Sequence, residues 1–170
     1  MPRIILAGYM GAGKTSVGLN LSDRISVPFY DLDHLISNEV NLSIADIFKT
    51  KGEIWFRKKE HEILHHFIRN TEHFILSLGG GTPCYANNHL VLQQEDITSF
   101  YLKSGVSTLV KRLSAETHKR PLLQNIDDLH SFVGQHLFER VYFYNFCKHT
   151  INCDNLEINE ISSEIIKILT

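Results

Sequence analysis

Short unbroken apolar runs alternate along this chain with longer stretches in which apolar residues recur every three or four positions. Residues 4–7, Ile-Ile-Leu-Ala, form the first run, and Gly8 ends it. A run without polar alternation reads as a strand buried on both faces, as in a parallel sheet. From Lys14 to about Ile25 the period becomes helical, with Val17, Leu21 and Ile25 on one face. Residues 28–31 read as a second short strand, after which Asp33 is placed as the cap of a helix carrying Leu35, Ile36 and Val40. Leu42-Ser43 opens another short helix with Ile44, Ile47 and Phe48 as its apolar side, and Gly52 breaks it.

A longer helix is predicted from Glu53 to about Asn70, with Phe56, Ile63, Leu64, Phe67 and Ile68 on one face. Residues 74–78 form a strand ended by Gly79-Gly80-Gly81, and residues 99–102 form another. A helix follows through Val106, Leu109, Val110 and Leu113. Residues 114–126 are polar, with Pro121 at their centre, and read as a loop. Residues 127–146 read as helix, 149–152 as the last strand and 158–169 as the last helix. Strands alternating with helices predict an α/β fold, a parallel sheet sandwiched between helices, in one domain spanning residues 1–170.

Composition narrows the functional classes. The chain has 170 residues, 43% hydrophobic and 21% charged, enough to bury a core without disulfides or a structural metal. Lys and Arg total 17 against 19 Asp and Glu, giving a net charge of −2. That balance argues against nucleic-acid and polybasic membrane binding, which need a basic excess. It leaves small anionic ligands open. Cys84, Cys147 and Cys153 are odd in number, far apart and without a CxxC pair, so reduced thiols in a cytoplasmic protein are expected. The opening segment is not patterned as a signal peptide, and no apolar stretch approaches the roughly 18 residues of a membrane span.

The first chemical motif follows the first strand. Gly8-Tyr9-Met10-Gly11-Ala12-Gly13-Lys14-Thr15 fits GxxxxGK[ST], with a strand before it and a helix starting within it. Glycines let backbone N–H groups converge on an anion, and the new helix aims its positive end at the phosphates. Lys14 supplies a point charge for the outer phosphates, and the Thr15 hydroxyl suits Mg²⁺. A GTPase-type switch shares this loop, but no Asp is followed three residues later by Gly, and Asn-Lys-x-Asp is absent. The balance therefore favours a phosphotransferase.

The acceptor side is legible at the same sheet edge. Asp31 and Asp33 close the second strand, where ligands of open parallel sheets bind. Carboxylates two residues apart suit metal binding and acceptance of a proton from an attacking hydroxyl. Arg57 and Glu60 lie one helical turn apart; Arg57 suits a bidentate carboxylate clamp with Glu60 fixing its orientation, although a surface ion pair has the same spacing. The Gly79-Gly80-Gly81 run suggests close backbone approach to a ligand. Arg120, in the polar loop, is placed to act as a lid residue over the phosphates. Arg140 by residue type alone reads as a solvated charge on a helix.

Together these segments resemble the shikimate kinase family. The resemblance rests on GxxxxGKT at 8–15, Asp-Leu-Asp at 31–33, Ser-Ile-Ala-Asp-Ile-Phe at 43–48 and Gly-Glu-x-x-Phe-Arg-x-x-Glu at 52–60. It continues through Leu-Gly-Gly-Gly at 78–81, Arg-Pro-Leu-Leu at 120–123 and Arg140-x-x-x-Tyr144. It implies a P-loop kinase fold of the nucleoside monophosphate kinase type with a five-stranded parallel sheet. The implied reaction is ATP-dependent phosphorylation of the 3-hydroxyl of shikimate, a step of aromatic amino-acid synthesis. By the same resemblance Gly11, Ala12, Gly13, Lys14, Thr15 and Ser16 cradle the phosphates, and Thr15 binds Mg²⁺ with Asp31 in its outer sphere. Asp33 holds the acceptor hydroxyl and is the candidate base. Arg57, Arg140 and the backbone of Gly79, Gly80 and Gly81 bind the rest of shikimate, chiefly its carboxylate. Arg120 contacts ATP and the transferring phosphoryl from a lid at about 114–126, and Arg112 falls near the adenine. The acceptor-binding segment is about 33–61, and the implied state is a cytoplasmic monomer. One departure stands out: the family often carries a basic residue after the last strand, where this chain reads Cys153-Asp154-Asn155. No adenine contact is carried over to that loop.

Three other readings remain to be separated. A gluconate-type or nucleotide kinase shares the first motifs, and so does a non-catalytic nucleotide-binding module. His61-Glu62-Ile63-Leu64-His65 matches the zinc-protease pattern HExxH. Its metzincin extension fails, since Ile68 stands at the Gly position and Thr71 at the third His. The other His, of ten in all, show no ligand spacing, and Cys84, just past the glycine run, reads as a small buried residue.

Overall fold

The computed structural model describes residues 2–116 and 127–170. Five strands form one sheet: β1 (Arg3–Ala7), β2 (Phe29–Asp31), β3 (Phe74–Ser77), β4 (Thr98–Lys103) and β5 (His149–Asn152), in the order β2-β3-β1-β4-β5. Every pairing is parallel, with Ile5 beside Leu76 and Ser99 at the centre. The described helices are α1 (Lys14–Ile25), α2 (Leu32–Val40), α3 (Ile44–Lys51), α4 (Glu53–Asn70), α5 (Val106–Ser114), α6 (Leu129–Tyr144) and α7 (Ile158–Leu169).

The unbroken apolar runs are explained by burial on both faces. In β1, Ile4 and Leu6 join the core shared with α1, α5, α6 and α7, while Ile5 and Ala7 join the core under α2 and α4. All four are 0% exposed. Strand order reverses direction at β1, so the loops after β1 and β3 open side by side at the carboxyl edge. That is the crevice where open parallel sheets bind ligands.

Several boundaries differ from the sequence pattern. Asp31, not Asp33, caps α2: its carboxylate accepts from His34 N at 3.3 Å, and Asp33 lies within the first turn. Ser43 caps α3 through Asp46 N, as serine at that position favours. The α6 helix is shorter at both ends than 127–146, because Asp128 caps it and Asn145 ends it. Strand β3 stops at Ser77, one residue before the predicted end. Between β3 and β4 the chain makes two short tight-turned helical segments, Thr82–Cys84 and Asn88–Gln93, which no periodicity predicted. Segments this short are fixed by tertiary contacts rather than by pattern.

Candidate active site

The loop between β1 and α1 wraps into a cradle because of its glycines. Gly11 and Gly13 adopt φ of 81° and 92°, left-handed values that a side chain disfavours, and Gly13 is the residue from which α1 starts. A methyl group at Gly8 would stand 2.8 Å from the Leu102 carbonyl, so the loop lies directly on β4. The buried Lys14 Nζ donates to the carbonyls of Gly8 at 2.8 Å and Tyr9 at 3.0 Å. Thr15 and Ser16 are exposed at the mouth. Thr15 Oγ1 donates to Asp31 Oδ2 at 3.3 Å, which brings two hard oxygen donors together from the start of α1 and the end of β2.

The cradle is one wall of a cleft of about 630 Å³. The cleft is lined by residues 10–17, Asp31, Asp33, Gly79, Gly80 and Arg112. Asp33 faces it from α2 in a strongly unfavourable setting for charge. Burial, then the neighbouring Asp31 and Glu60 carboxylates, raise its pKa from the ordinary 3.8 to about 6, against the pull of Lys14 and Arg57. Arg112 reaches from α5 into the lining and donates to the Gly11 carbonyl at 3.1 Å, bracing the cradle.

The three glycines after β3 have a reason visible only in three dimensions. None takes a positive φ, so conformational freedom is not their use. They are small because charged side chains lie against them. A methyl group at Gly79 would stand 3.1 Å from Asp33 Oδ1, at Gly80 3.3 Å from Arg140 Nη1, and at Gly81 2.8 Å from Arg57 Nη2. The run thus gathers Asp33 of α2, Arg57 of α4 and Arg140 of α6 around one stretch of backbone.

Each guanidinium is held. Arg57 Nη1 donates to Glu60 Oε1 at 2.9 Å, and its Cζ lies 4.1 Å from the centre of the Tyr85 ring. Glu60 is only 1% exposed, so this is no solvated surface pair. Its other oxygen accepts from Thr82 Oγ1 at 2.8 Å. Arg140, half-buried, lies over the Tyr9 ring, and Tyr144 one turn further donates its hydroxyl to the Gly80 carbonyl at 2.6 Å. Burial pushes the Tyr144 hydroxyl well above its usual range, so it is a permanent donor. Cys84 is half-buried rather than buried; desolvation raises its thiol pKa, and Arg140 and Arg57 both act on it in the opposite sense.

Of the far end of the cleft, the sequence points only to Arg112. Leu156, Glu157, Ile158 and Ile161, at the start of α7, line it with Arg112 and Glu116. Asp154 has another use there. Its carboxylate accepts from Gly105 N at 3.1 Å and Thr108 Oγ1 at 2.7 Å, fixing the start of α5. These bonds hold its pKa below the usual range. For the α7 residues the one local signal was the reciprocal Glu157–Glu160 capping box that starts the helix.

Arg120 and residues 117–126 of the lid segment lie outside the described residues. Every other predicted site residue lies on this edge of the sheet.

The family model for shikimate kinase matches residues 10–170. The chain belongs to the shikimate kinase family. The shikimate kinase of Flavobacterium psychrophilum is 50% identical over 171 residues, covering 99% of both chains. That of Flavobacterium johnsoniae is 47% identical over 171 residues, again covering 99% of both. Among solved structures, shikimate kinase from Bacteroides thetaiotaomicron superposes with a TM-score of 0.92 at 33% identity, over 99% of this chain and 98% of that one. Shikimate kinase from Acinetobacter baumannii, solved in complex with shikimate, gives 0.89 at 29% identity, over 99% of this chain and 93% of that one. Membership gives the chain its class, a phosphotransferase that uses ATP as co-substrate. It also leaves the HExxH segment without a claim on the chemistry: His61 Nδ1 is 2.7 Å from Asn88 Oδ1, turned towards the loop after the glycine run.

Proposed function

We propose that this chain transfers the γ-phosphoryl group of ATP to the 3-hydroxyl of shikimate, giving shikimate 3-phosphate in aromatic amino-acid synthesis. The observation that carries the reading is the glycine run 79–81, which holds a carboxylate and two guanidiniums against one backbone beside the phosphate cradle. A small hydroxylated carboxylic acid matches that set: guanidiniums for its carboxylate, Asp33 for its hydroxyl.

The amides of residues 11–16 and the start of α1 bind the β- and γ-phosphates. Lys14 exchanges its two carbonyl acceptors for phosphate oxygens. The Thr15 hydroxyl and the Asp31 carboxylate would hold Mg²⁺, which would neutralise charge on the outer phosphates. Leu156, Ile158 and Ile161 offer the adenine an apolar wall, with Arg112 alongside. Arg57 and Arg140 clamp the acid's carboxylate, which aims the hydroxyl at Asp33. The Asp33 carboxylate accepts the hydroxyl proton as the oxygen–phosphorus bond forms and ADP departs. Arg120 is assigned to the transferring phosphoryl from the family motif.

Asp33 must be ionised to accept that proton. With its pKa raised to about 6 in the free enzyme, kcat/KM for shikimate is expected to fall about tenfold per pH unit below 6 and to level off above it. A rate profile from pH 4.5 to 8.5 checks this; a flat profile down to pH 4.5 contradicts the role. The assignment of the acceptor is tested by ADP release with shikimate, gluconate and nucleoside monophosphates. Release above the acceptor-free rate is expected with shikimate alone, and release with gluconate or a nucleotide instead overturns it.

A further inference from the structure

Behind the Arg57 clamp lies a chain of hydrogen bonds that passes through three buried residues and returns to α4. Arg57 Nη1 donates to Glu60 Oε1 at 2.9 Å, and Thr82 Oγ1 donates to Glu60 Oε2 at 2.8 Å. The Thr82 carbonyl in turn accepts from Asn88 Nδ2 at 3.1 Å. That contact fixes the orientation of the Asn88 amide, because a carbonyl can only accept. Asn88 Oδ1 therefore faces His61 Nδ1, 2.7 Å away, and the proton of His61 sits on Nδ1. Glu60 is 1% exposed, and Thr82 and Asn88 are both 0% exposed.

Groups so buried have no water to replace a missing partner. The two oxygens of Glu60 are divided between the clamp and Thr82, so the Thr82 hydroxyl sets which way the carboxylate presents itself to Arg57. Thr82 is held by Asn88, and Asn88 by His61 on the same helix as Arg57 and Glu60. The circuit closes on α4, and the helix and the loop after the glycine run fix each other's register. Gly81, against which the guanidinium lies, immediately precedes Thr82.

We infer that Thr82, Asn88 and His61 are positioning residues for shikimate: they touch no substrate but hold Glu60, and through it Arg57, in the carboxylate-binding geometry. This rests on the reading of Arg57 as the carboxylate clamp. It also gives the first histidine of the HExxH segment a purpose unrelated to metal.

The test is steady-state kinetics against both substrates for Thr82→Val, Thr82→Ser, His61→Ala and Arg57→Ala, each with a thermal melt. Valine keeps the shape of threonine and removes the hydroxyl that Glu60 uses. Thr82→Val is expected to raise KM for shikimate roughly tenfold, the effect of losing one buried hydrogen bond to a charged group. KM for ATP should stay within about twofold by the same argument. Thr82→Ser, which keeps the hydroxyl, restores the wild-type value. His61→Ala, half-exposed and so tolerant of truncation, gives a smaller rise in the same parameter alone. If Thr82→Val leaves KM for shikimate unchanged while Arg57→Ala raises it, the clamp stands and the positioning circuit falls. If Arg57→Ala also leaves it unchanged, both fall. A parallel rise in both KM values, undiminished in Thr82→Ser, reports general loosening and overturns the inference as well.

Discussion

Replacing Asp33 by asparagine is expected to lower kcat by roughly 10²–10⁴-fold, the range for losing a positioned proton acceptor. Asparagine keeps the shape and still accepts a hydrogen bond from the shikimate hydroxyl, but it cannot take the proton. KM for ATP should hardly move, because the phosphate cradle is built from residues 11–16 and not from α2. The same substitution is expected to raise the melting temperature at pH 7.5. The folded-state pKa of about 6 lies above the ordinary 3.8, so the folded protein disfavours the ionised form. The penalty is absent below about pH 4, grows between pH 4 and 6 and is complete above pH 6. Asparagine carries no such charge beside Asp31 and Glu60. Its melting temperature should therefore exceed that of the parent at pH 7.5 and converge with it at pH 4. Activity lost together with a lowered melting temperature at pH 7.5 would contradict the assignment, since it would mark Asp33 as structural.

Arg57→Ala is expected to raise KM for shikimate by roughly 30-fold to several thousand-fold. Truncating one partner of a buried charge pair costs about 2–5 kcal/mol, and each 1.4 kcal/mol is tenfold. Two losses combine here: the substrate carboxylate loses its bidentate donor, and Glu60, 1% exposed, is left charged without its cation. The second loss lowers the melting temperature too, which is why Arg57→Lys is the informative companion. Lysine restores a charge near Glu60 but not the planar fork, so stability should recover further than shikimate affinity. A change confined to KM for ATP would show that Arg57 serves the nucleotide.

Much of this arrangement is legible in one sequence, and the reason differs from feature to feature. The phosphate cradle is local: eight consecutive residues between a strand and a helix contain the backbone amides, the lysine and the hydroxyl together. The parallel sheet is legible because burial on both faces leaves unbroken apolar runs such as Ile4 to Ala7. The glycine run is legible as a signal of close approach, but what approaches is the protein's own Asp33, Arg57 and Arg140, each from a different helix. The α2 cap is misplaced by two residues because Asp31 and Asp33 are equally good caps by type, and only the end of β2 decides between them. Thr82 and Asn88 carry no periodic signal, since they sit in short turns shaped by the side chains they bind. The wall at Leu156 and Ile158 is invisible for a similar reason. Two exposed or half-buried apolar residues at a helix start are ordinary until the cleft beside them is seen.

In the proposed reaction the cleft delivers the γ-phosphoryl of ATP to one hydroxyl of shikimate. The most direct measurement is phosphorus–proton NMR of the product formed from ATP, Mg²⁺ and shikimate. A single phosphomonoester whose phosphorus couples to the proton on C3, formed in step with ADP, is the predicted result. Phosphorus on another hydroxyl, or ADP accumulating without a phosphorylated acid, would contradict the placement of Asp33, Arg57 and Arg140 around the acceptor.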